Sequence, residues 1–238
     1  MKKTRLLLML ACSLFVVTAQ AKTYQVGVAL ANFDLNFVSI LRSQMARELA
    51  AQQLQGQFVD AKGDVALQVQ QVDDLINQGV DAIILNPVDT QGVQPMIAAA
   101  KRAAIPLIFV NRKPEVPLSG ATAYVGSDSA LSGRLQMEAL AKKMNYRGNV
   151  AILMVALKQA KKSGVLVAGI DGTPDGLQFI KNGDLAVTIF QDAKAQAIGA
   201  VQVTRALLDH AKTEPYNWVP YATVTRENYP QFAQMNQK

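Results

Sequence analysis

Polar and aromatic side chains follow almost every predicted strand of this chain, at the point where the strand ends. The set comprises Asp34, Asn36, Phe37, Asn86, Asn111, Arg112, Asp171 and Gln191. In an open parallel sheet, ligands bind beyond the carboxyl ends of the strands, so these side chains are placed to meet at one site. Carboxylates, carboxamides and a guanidinium can pair with a rim of hydroxyls, and an aromatic ring can cover a flat apolar face. The set is therefore consistent with recognition of a polyol.

Taken singly, most of these residues also have a purely structural interpretation. Asn86 could be only a turn residue, Asp171 only a loop residue, and Phe37 only the first core position of its helix. Arg112 is different, because a guanidinium directly after a buried strand must find an acceptor. Asp34, Asp171 or a ligand could supply that acceptor.

The elements that would position these side chains alternate along the chain from Lys22 onward. Short apolar runs alternate with segments whose apolar residues recur at helical spacing, which is typical of a parallel sheet built from strand-helix units. The predicted strands are 24–30, 56–60, 82–85, 105–110, 123–125, 149–153, 165–170, 187–190 and 222–225. The predicted helices are 37–49, 65–78, 93–103, 129–145, 174–183 and 192–210. We expect Asp64 and Thr173 to cap two of these helices and Gly79 to end one.

The first 21 residues have the pattern of an export signal. Lys2, Lys3 and Arg5 precede an apolar run at 6–17, and Ala-Gln-Ala at 19–21 suits a signal peptidase. This apolar run is too short to span a bilayer core, which needs about 20 residues. We therefore expect cleavage after Ala21, export to the periplasm, and a monomeric mature chain that does not itself span the membrane.

Charge and composition exclude several classes of function. The chain has 24 basic and 18 acidic residues, and without the first 21 residues the balance is 21 to 18, a net charge of +3. This charge is scattered, so nucleic-acid binding is not expected. The single cysteine, Cys12, lies in the predicted export signal, which excludes thiolate chemistry in the mature chain.

Two further sequence features argue against an enzyme. The turn after the first strand reads Ala-Asn-Phe-Asp at 31–34, and no glycine-rich phosphate loop occurs in the chain. His210, the only histidine, falls near the end of a predicted helix, where a surface role is expected. We therefore predict no catalytic residues, no cofactor and no metal site.

Five longer segments resemble the ribose-, galactose- and inositol-binding proteins of bacterial ABC importers. They are VDDLINQGVDAIILNPVD (72–89), IPLIFVNRKP (105–114), YVGSDSALSG (124–133), VLVAGIDGTPDG (165–176) and TIFQDA (188–193). The resemblance covers 22–153 and again 156–228. Asn111 followed by Arg112, where Asp-Arg is more common, resembles the inositol or rhizopine branch.

This resemblance implies a fold and a function. The fold would be the two-lobed type I periplasmic-binding-protein fold, an α/β fold with parallel doubly wound sheets. The first lobe would comprise 22–125 plus 192–217, and the abbreviated second lobe 126–191 plus 222–238. The function would be that of a substrate-binding subunit, which captures a small monosaccharide or cyclitol (inositol-, rhizopine- or ribose-like) between the lobes and presents it to a membrane permease.

The resemblance also implies roles for the site residues. Phe37 would cover a sugar face, while Asp34, Asn36 and Asn86 would line the first lobe. Asn111 and Arg112 would pair with ligand hydroxyls, and Asp171 and Gln191 would complete the site in the second half of the chain.

The chain departs from the family at one internal place. Between the strand at 149–153 and Lys162, family members carry an Arg-x-x-Gly segment, an aromatic residue and an Asn-Asp-x-Met-Ala motif, none of which occurs here. Residues 154–160 leave too little room for a crossover helix, so two strand-helix units, on the order of 60 residues, are missing. The alternative function is therefore a truncated remnant whose ligand binding is lost or greatly weakened.

Overall fold

The structure is a computed structural model that describes residues 22–147 and 166–236. The predicted export signal, the predicted strand at 149–153 and the junction at 154–160 lie outside the described residues. Within 22–147 and 166–236, no helix is both long and apolar enough to cross a membrane.

The strands and helices of the described residues lie close to the predicted positions, except for a strand at Tyr216–Trp218 that was not predicted. The strands are β1 (Gln25–Leu30), β2 (Gln55–Asp60), β3 (Ala82–Leu85), β4 (Leu107–Val110), β5 (Thr122–Gly126), β6 (Ala168–Asp171), β7 (Val187–Phe190), β8 (Tyr216–Trp218) and β9 (Ala222–Val224). The helices are α1 (Asn36–Ala51), α2 (Val65–Asn77), α3 (Gln94–Arg102), α4 (Ser129–Lys143), α5 (Pro174–Asn182) and α6 (Ala193–Leu208). A short 3-10 helix, Tyr229–Gln231, follows β9.

Six strands form one parallel sheet, here called the large sheet. Its order is β2-β1-β3-β4-β5-β8. β3 and β4 are buried along their whole length, as their uninterrupted apolar sequences predict. Helices α1 and α6 pack against one face of the sheet, and α2 and α3 cover the other. The sheet therefore lies between two helical layers that hold the loops at its carboxyl edge.

Three strands, in the order β6-β7-β9, form the second sheet, here called the small sheet. Helices α4 and α5 pack on it. Its apolar core consists of two small clusters, one around Val187 and Ile189 and the other around Leu177 and Phe190. No strand among the described residues pairs with the outer edge of β6, where Ile170 is 43% exposed.

The chain crosses between the two sheets after β5, after β7 and after β8. The last crossing gives the small sheet its one antiparallel pairing, between β7 and β9, in which Phe190 pairs with Ala222. β8 ends at the carboxyl edge of the large sheet, and three residues carry the chain to the carboxyl end of β7. A strand that enters at that end can only run against β7. The predicted α/β fold with an abbreviated second sheet is confirmed, but its strands are not all parallel.

The predicted helix caps are present. The Asp64 side chain accepts a hydrogen bond from the Leu67 amide at 3.0 Å, and the Thr173 hydroxyl accepts one from Gly176 at 3.4 Å. Gly79 follows α2 with a φ of +81°, the left-handed conformation that glycine adopts without strain. These local signals set where the helices begin and end.

Candidate functional site

A cavity of about 790 Å³ lies between the carboxyl ends of the two sheets. Six of the eight residues singled out in the sequence line it: Asn36, Phe37, Asn111, Arg112, Asp171 and Gln191. They come from the start of α1, the carboxyl ends of β4 and β6, and the crossing after β7, so the fold brings distant parts of the chain to one place. The cavity volume is in the range usual for sites that bind small molecules.

Asn86 does not line the cavity, because it is fully buried beneath Asn111. Its Nδ2 donates to the Val110 carbonyl at 3.1 Å and to Asn111 Oδ1 at 3.3 Å. This bond engages the oxygen of the Asn111 amide, so the Asn111 Nδ2 group remains available as a donor to another acceptor. The structure thus gives Asn86 an orienting contact with Asn111.

Gln68 supports the same layer from α2. It is fully buried, its Nε2 donates to the Asn86 carbonyl at 3.0 Å, and its Oε1 accepts from the Val88 amide at 2.8 Å. Both hydrogen bonds hold the loop that follows β3. Gln68 carries no signal in the sequence, because it occupies a position on a helical face and belongs to no motif.

Asp34 is exposed and also lies outside the cavity lining, although its neighbours Leu35 and Asn36 belong to it. Its amide donates to Asn32 Oδ1 at 2.8 Å, so the loop after β1 makes a local turn just before α1 begins. The predicted contact of Asp34 with a ligand stays a prediction.

Arg112 finds backbone acceptors. Its Nη1 donates to the carbonyl oxygens of Pro87 at 3.0 Å and Val88 at 3.1 Å. The partner is therefore neither of the carboxylates that the sequence left open. A guanidinium has five N–H donors, so this anchoring leaves further donors on the group that lines the cavity.

The cavity residues that end β4 and β6 share an unusual backbone. Asn111 has a φ of +66° and Asp171 a φ of +75°. Asparagine and aspartate enter this left-handed region more readily than other non-glycine residues, yet such a conformation costs about 1 to 3 kcal/mol and needs support from its surroundings. The residue types at these positions therefore serve the backbone as well as any ligand.

Two titratable groups of the cavity, Asp171 and Tyr221, have raised pKa values. Burial raises the pKa of the Asp171 carboxyl above its usual range. Burial also raises the pKa of Tyr221, hydrogen bonding with Ser132 and Ser129 opposes that rise, and the negative charge of Asp171 adds a smaller increase. Tyr221 is therefore a neutral hydroxyl at neutral pH, able to donate and to accept.

Further polar residues of the lining were missed in the sequence. They are Thr90, Lys113, Glu115, Ser127, Asp128, Ser129 and Tyr221. Glu115 is held by Thr90 Oγ1 at 3.3 Å and Gln91 Nε2 at 3.0 Å, which fixes its carboxylate at the cavity edge. Tyr221 lies in the third crossing segment, between β8 and β9, and it reaches the cavity from there.

The lining suits a neutral, hydroxyl-rich molecule. It combines amide, guanidinium, carboxylate and phenol groups with the apolar surfaces of Phe37, Val38 and Ile170. No group of three or more His, Cys, Asp or Glu side chains within 22–147 and 166–236 could hold a metal ion. The arrangement can orient a ligand through hydrogen bonds on its rim and apolar contact with its faces.

Known proteins resemble the chain in both sequence and fold. Residues 26–157 match the family described as periplasmic binding protein domain. The chain belongs to this family. A crystal structure of an ABC transporter solute-binding protein from Bacillus halodurans with bound myo-inositol is 29% identical, with a TM-score of 0.82 over 91% of this chain and 99% of that one. The fold is accordingly that of the type I periplasmic binding proteins.

Two sequence relatives cover most of the chain. A protein of Rhizobium meliloti named for rhizopine binding is 28% identical over 95% of this chain and 98% of its own length. The xylitol-binding protein of Mycolicibacterium smegmatis is 27% identical over 92% of this chain and 82% of its own length.

The first of these alignments also measures the internal shortening. It runs over 305 positions, whereas 95% of this 238-residue chain is about 226 residues. About 79 aligned positions therefore have no counterpart here. This agrees in size with the two strand-helix units missing from the sequence pattern.

Proposed function

We propose that this chain is the substrate-binding subunit of an ABC-type sugar or polyol importer, and that it captures a small monosaccharide or cyclitol in the cavity between the two sheets. The observation that carries the proposal is the convergence of Asn36, Phe37, Asn111, Arg112, Asp171 and Gln191 on that one cavity. The family membership and the relatives with bound or named polyols support the same function.

The proposed site has two sides. Phe37 would cover one face of the ligand ring, and Asn36 would lie beside it. Asn111 Nδ2 would donate to a ligand hydroxyl, because its oxygen already accepts from Asn86. Arg112 would donate from the part of the guanidinium not used on the Pro87 and Val88 carbonyls.

From the opposite side, the Asp171 carboxylate and the Gln191 amide would bind further hydroxyls. Asp171 is half-buried and partly desolvated, and ligand hydroxyls would replace the water that its charged form lacks. Tyr221 would add a hydroxyl next to Asp171.

The two sheets with their helices would act as lobes that close over the ligand. Residues 22–125 with 192–217 would form the first lobe, and 126–191 with 222–238 the second. The three crossings would be the hinge, as in other proteins whose domains close around a ligand by rotation of a few connecting residues. The closed form would be the one that the membrane permease accepts.

A cyclitol is the ligand class we favour within this group. Position 111 carries asparagine, which offers an N–H donor where an aspartate offers only acceptors. The Bacillus halodurans neighbour holds myo-inositol, and the Rhizobium meliloti relative is named for rhizopine binding. Residues 1–21 would be the export signal of the proposed subunit. The mature protein would act as a monomer in the periplasm and would catalyse no reaction.

A second candidate is a damaged binding protein that no longer holds its ligand. The shortening of about 79 aligned positions and the exposed Ile170 on the outer edge of β6 favour it. If two or three hydrogen bonds to the ligand are missing, at about 1 kcal/mol or more each, a micromolar site weakens toward the millimolar range.

The deciding experiment is a thermal-shift titration of the purified protein with myo-inositol, ribose and galactose under identical conditions. A saturable rise in Tm with one ligand supports the binding function, since a ligand of the native state stabilises by mass action. A flat response to all three, followed by rapid proteolysis of 127–190 beside a stable fragment of the first lobe, supports the damaged protein instead.

A further inference from the structure

The two left-handed residues of the cavity are held in the same way. The carbonyl oxygen of Asn111 accepts a hydrogen bond from the buried Tyr124 hydroxyl at 3.0 Å. The carbonyl oxygen of Asp171 accepts one from the Asn236 side-chain amide at 2.9 Å. In each case, a buried side chain from outside the cavity lining fixes the backbone of a residue inside it.

Each of these side chains also contacts a crossing segment. The Tyr124 hydroxyl lies 3.0 Å from the Ser127 carbonyl, at the crossing after β5. The Asn236 amide nitrogen donates to the Gln191 carbonyl at 2.9 Å, at the crossing after β7. Both side chains therefore join the carboxyl end of one strand to the segment that links the two sheets.

Asn236 uses both ends of its side-chain amide. Its Oδ1 accepts from the Ala193 amide at 3.3 Å, in the first turn of α6. Its Nδ2, which donates to the Asp171 and Gln191 carbonyls, also lies 3.4 Å from the Gly172 carbonyl. The residue is only 1% exposed. Phe232, which packs on Phe190 with ring centroids 5.1 Å apart, helps to seat this part of the chain against the small sheet.

Tyr124 is equally constrained. It is fully buried, and its ring packs edge to face against Trp218 at a centroid distance of 5.6 Å. Its hydroxyl lies over Gly126, which is two residues further along β5 and therefore on the same face of the strand. The hydroxyl fits there only because glycine has no side chain. The tyrosine and the glycine thus form one packing unit.

We propose that Tyr124 and Asn236 are paired positioning residues, which lock the left-handed backbone of Asn111 and Asp171 and thereby aim these two side chains into the cavity. The inference deepens the proposed function and rests on it for its effect on ligand affinity. A non-glycine residue stays in the left-handed region only when its surroundings over-determine it. Without the locking hydrogen bond, the backbone relaxes and its side chain turns away from the ligand.

The test for Asn236 is a matched pair of isosteric substitutions. Asn236→Asp keeps the acceptor for the Ala193 amide and removes the two donated bonds to Asp171 and Gln191. Asn228→Asp is the control in the same part of the chain: it keeps the acceptor for the Thr225 amide and removes one donated bond, to the Thr223 carbonyl, away from the cavity lining.

Myo-inositol affinity is measured by calorimetry for both variants. We expect Asn236→Asp to raise the Kd at least about tenfold, which corresponds to the loss of roughly one or two hydrogen bonds. Asn228→Asp should leave the Kd within about twofold of the wild-type value, because its lost bond does not reach a cavity residue. Equal Kd values for the two variants overturn the proposal.

A second measurement does not depend on the ligand. The Gln191 amide donates to the Asp171 carbonyl at 3.3 Å, so its hydrogen exchange reports the geometry that Asn236 holds. We expect Asn236→Asp to accelerate this exchange about tenfold and Asn228→Asp to leave it unchanged. If the wild-type protein binds none of the tested polyols, that result counts against the proposed function. The hydrogen exchange of the Gln191 amide still tests the positioning role of Asn236, because it needs no ligand. Unchanged exchange in Asn236→Asp overturns it.

Tyr124→Phe tests the other half of the pair. It removes the hydroxyl from both carbonyls and keeps the ring against Trp218. We expect a rise of about tenfold in the Kd for myo-inositol. Tyr24→Phe, at the opposite end of the large sheet, is the control and should leave the Kd unchanged. A Kd for Tyr124→Phe equal to that of the control overturns this half of the proposal.

Discussion

Gly126→Ala should destabilise the protein, because position 126 lies directly under the Tyr124 ring. A Cβ atom there would lie 2.6 Å from Tyr124 Cζ and 3.0 Å from Cε2, and closer still to the hydroxyl. Ordinary carbon contacts begin near 3.5 Å, so the ring must move by about 1 Å. Tyr124 is fully buried, which leaves no free space for that movement. Overpacking of this kind costs about 1 to 3 kcal/mol, and the displaced hydroxyl loses its two carbonyl contacts in addition.

The assay is urea unfolding, with Gly133→Ala as the matched control. Gly133 lies inside α4, and a Cβ atom there would meet nothing within 4 Å. The control should therefore stabilise the protein by about 0.5 to 1 kcal/mol, since alanine favours a helix over glycine. We expect Gly126→Ala to lower the free energy of unfolding by about 2 to 4 kcal/mol.

A double-mutant cycle with Tyr124→Phe isolates the contact. Phenylalanine lacks the hydroxyl that lies closest to the added Cβ, so the double variant should lose at least about 0.5 kcal/mol less than the sum of the two single losses. Additive losses, or a Gly126→Ala loss below about 0.5 kcal/mol, would refute the view that Tyr124 and Gly126 pack as one unit.

Three further predictions concern the site and one helix end. Arg112→Lys should weaken myo-inositol binding about 10- to 100-fold in calorimetry, because the guanidinium bonds the loop carbonyls through Nη1 and keeps other nitrogens for a ligand, whereas lysine has a single nitrogen. The exposed Arg102→Lys should have no effect. Burial raises the pKa of Asp171, so the folded state is favoured when this carboxyl is neutral. The stability that the neutral carboxyl contributes is fully present below the usual pKa of 3.8, and it is lost as the pH rises through the higher pKa of the folded state. Asp171→Asn should therefore have a higher Tm than the wild type at pH 7, and a Tm difference that does not shrink toward pH 3 contradicts this assignment. Asp64→Ala removes the cap of α2 and should cost about 1 kcal/mol in urea unfolding, while the mid-helix Asp73→Ala should stay within about 0.5 kcal/mol.

Much of the fold could be predicted because its signals are local. The buried strands β3 and β4 are uninterrupted apolar runs, and the caps at Asp64 and Thr173 are set within three or four residues of the helix ends they define. The strand β9 was itself predicted, at 222–225, but its antiparallel direction could not be predicted in this way. Its direction follows from which sheet edge the chain reaches after β8, and a local pattern carries no information about that edge.

The site was predicted only in part, because the sequence shows which residues follow a strand but not which of them reach the cavity. The rule that ligands lie beyond strand ends selected Asn111, Arg112 and Asp171, and all three line the cavity. The rule could not separate them from Asn86, which also follows a strand but is buried one layer below. It also missed Tyr221, whose place depends on a crossing between two sheets.

The sequence by itself determined the order of the strands and helices apart from β8, the helix ends, the positions of polar residues after the strands, and the internal shortening relative to the family. These features depend on spacing within a few residues or on the length of the chain. Only the tertiary structure decided which of those polar residues face the cavity and what holds them there. The Asn236 bond to Asp171 joins residues 65 positions apart, and Arg112 bonds to carbonyls 24 and 25 positions away. Such contacts depend on the sheet order and on the crossings, which bring distant backbone groups within hydrogen-bonding distance only after the whole chain has packed.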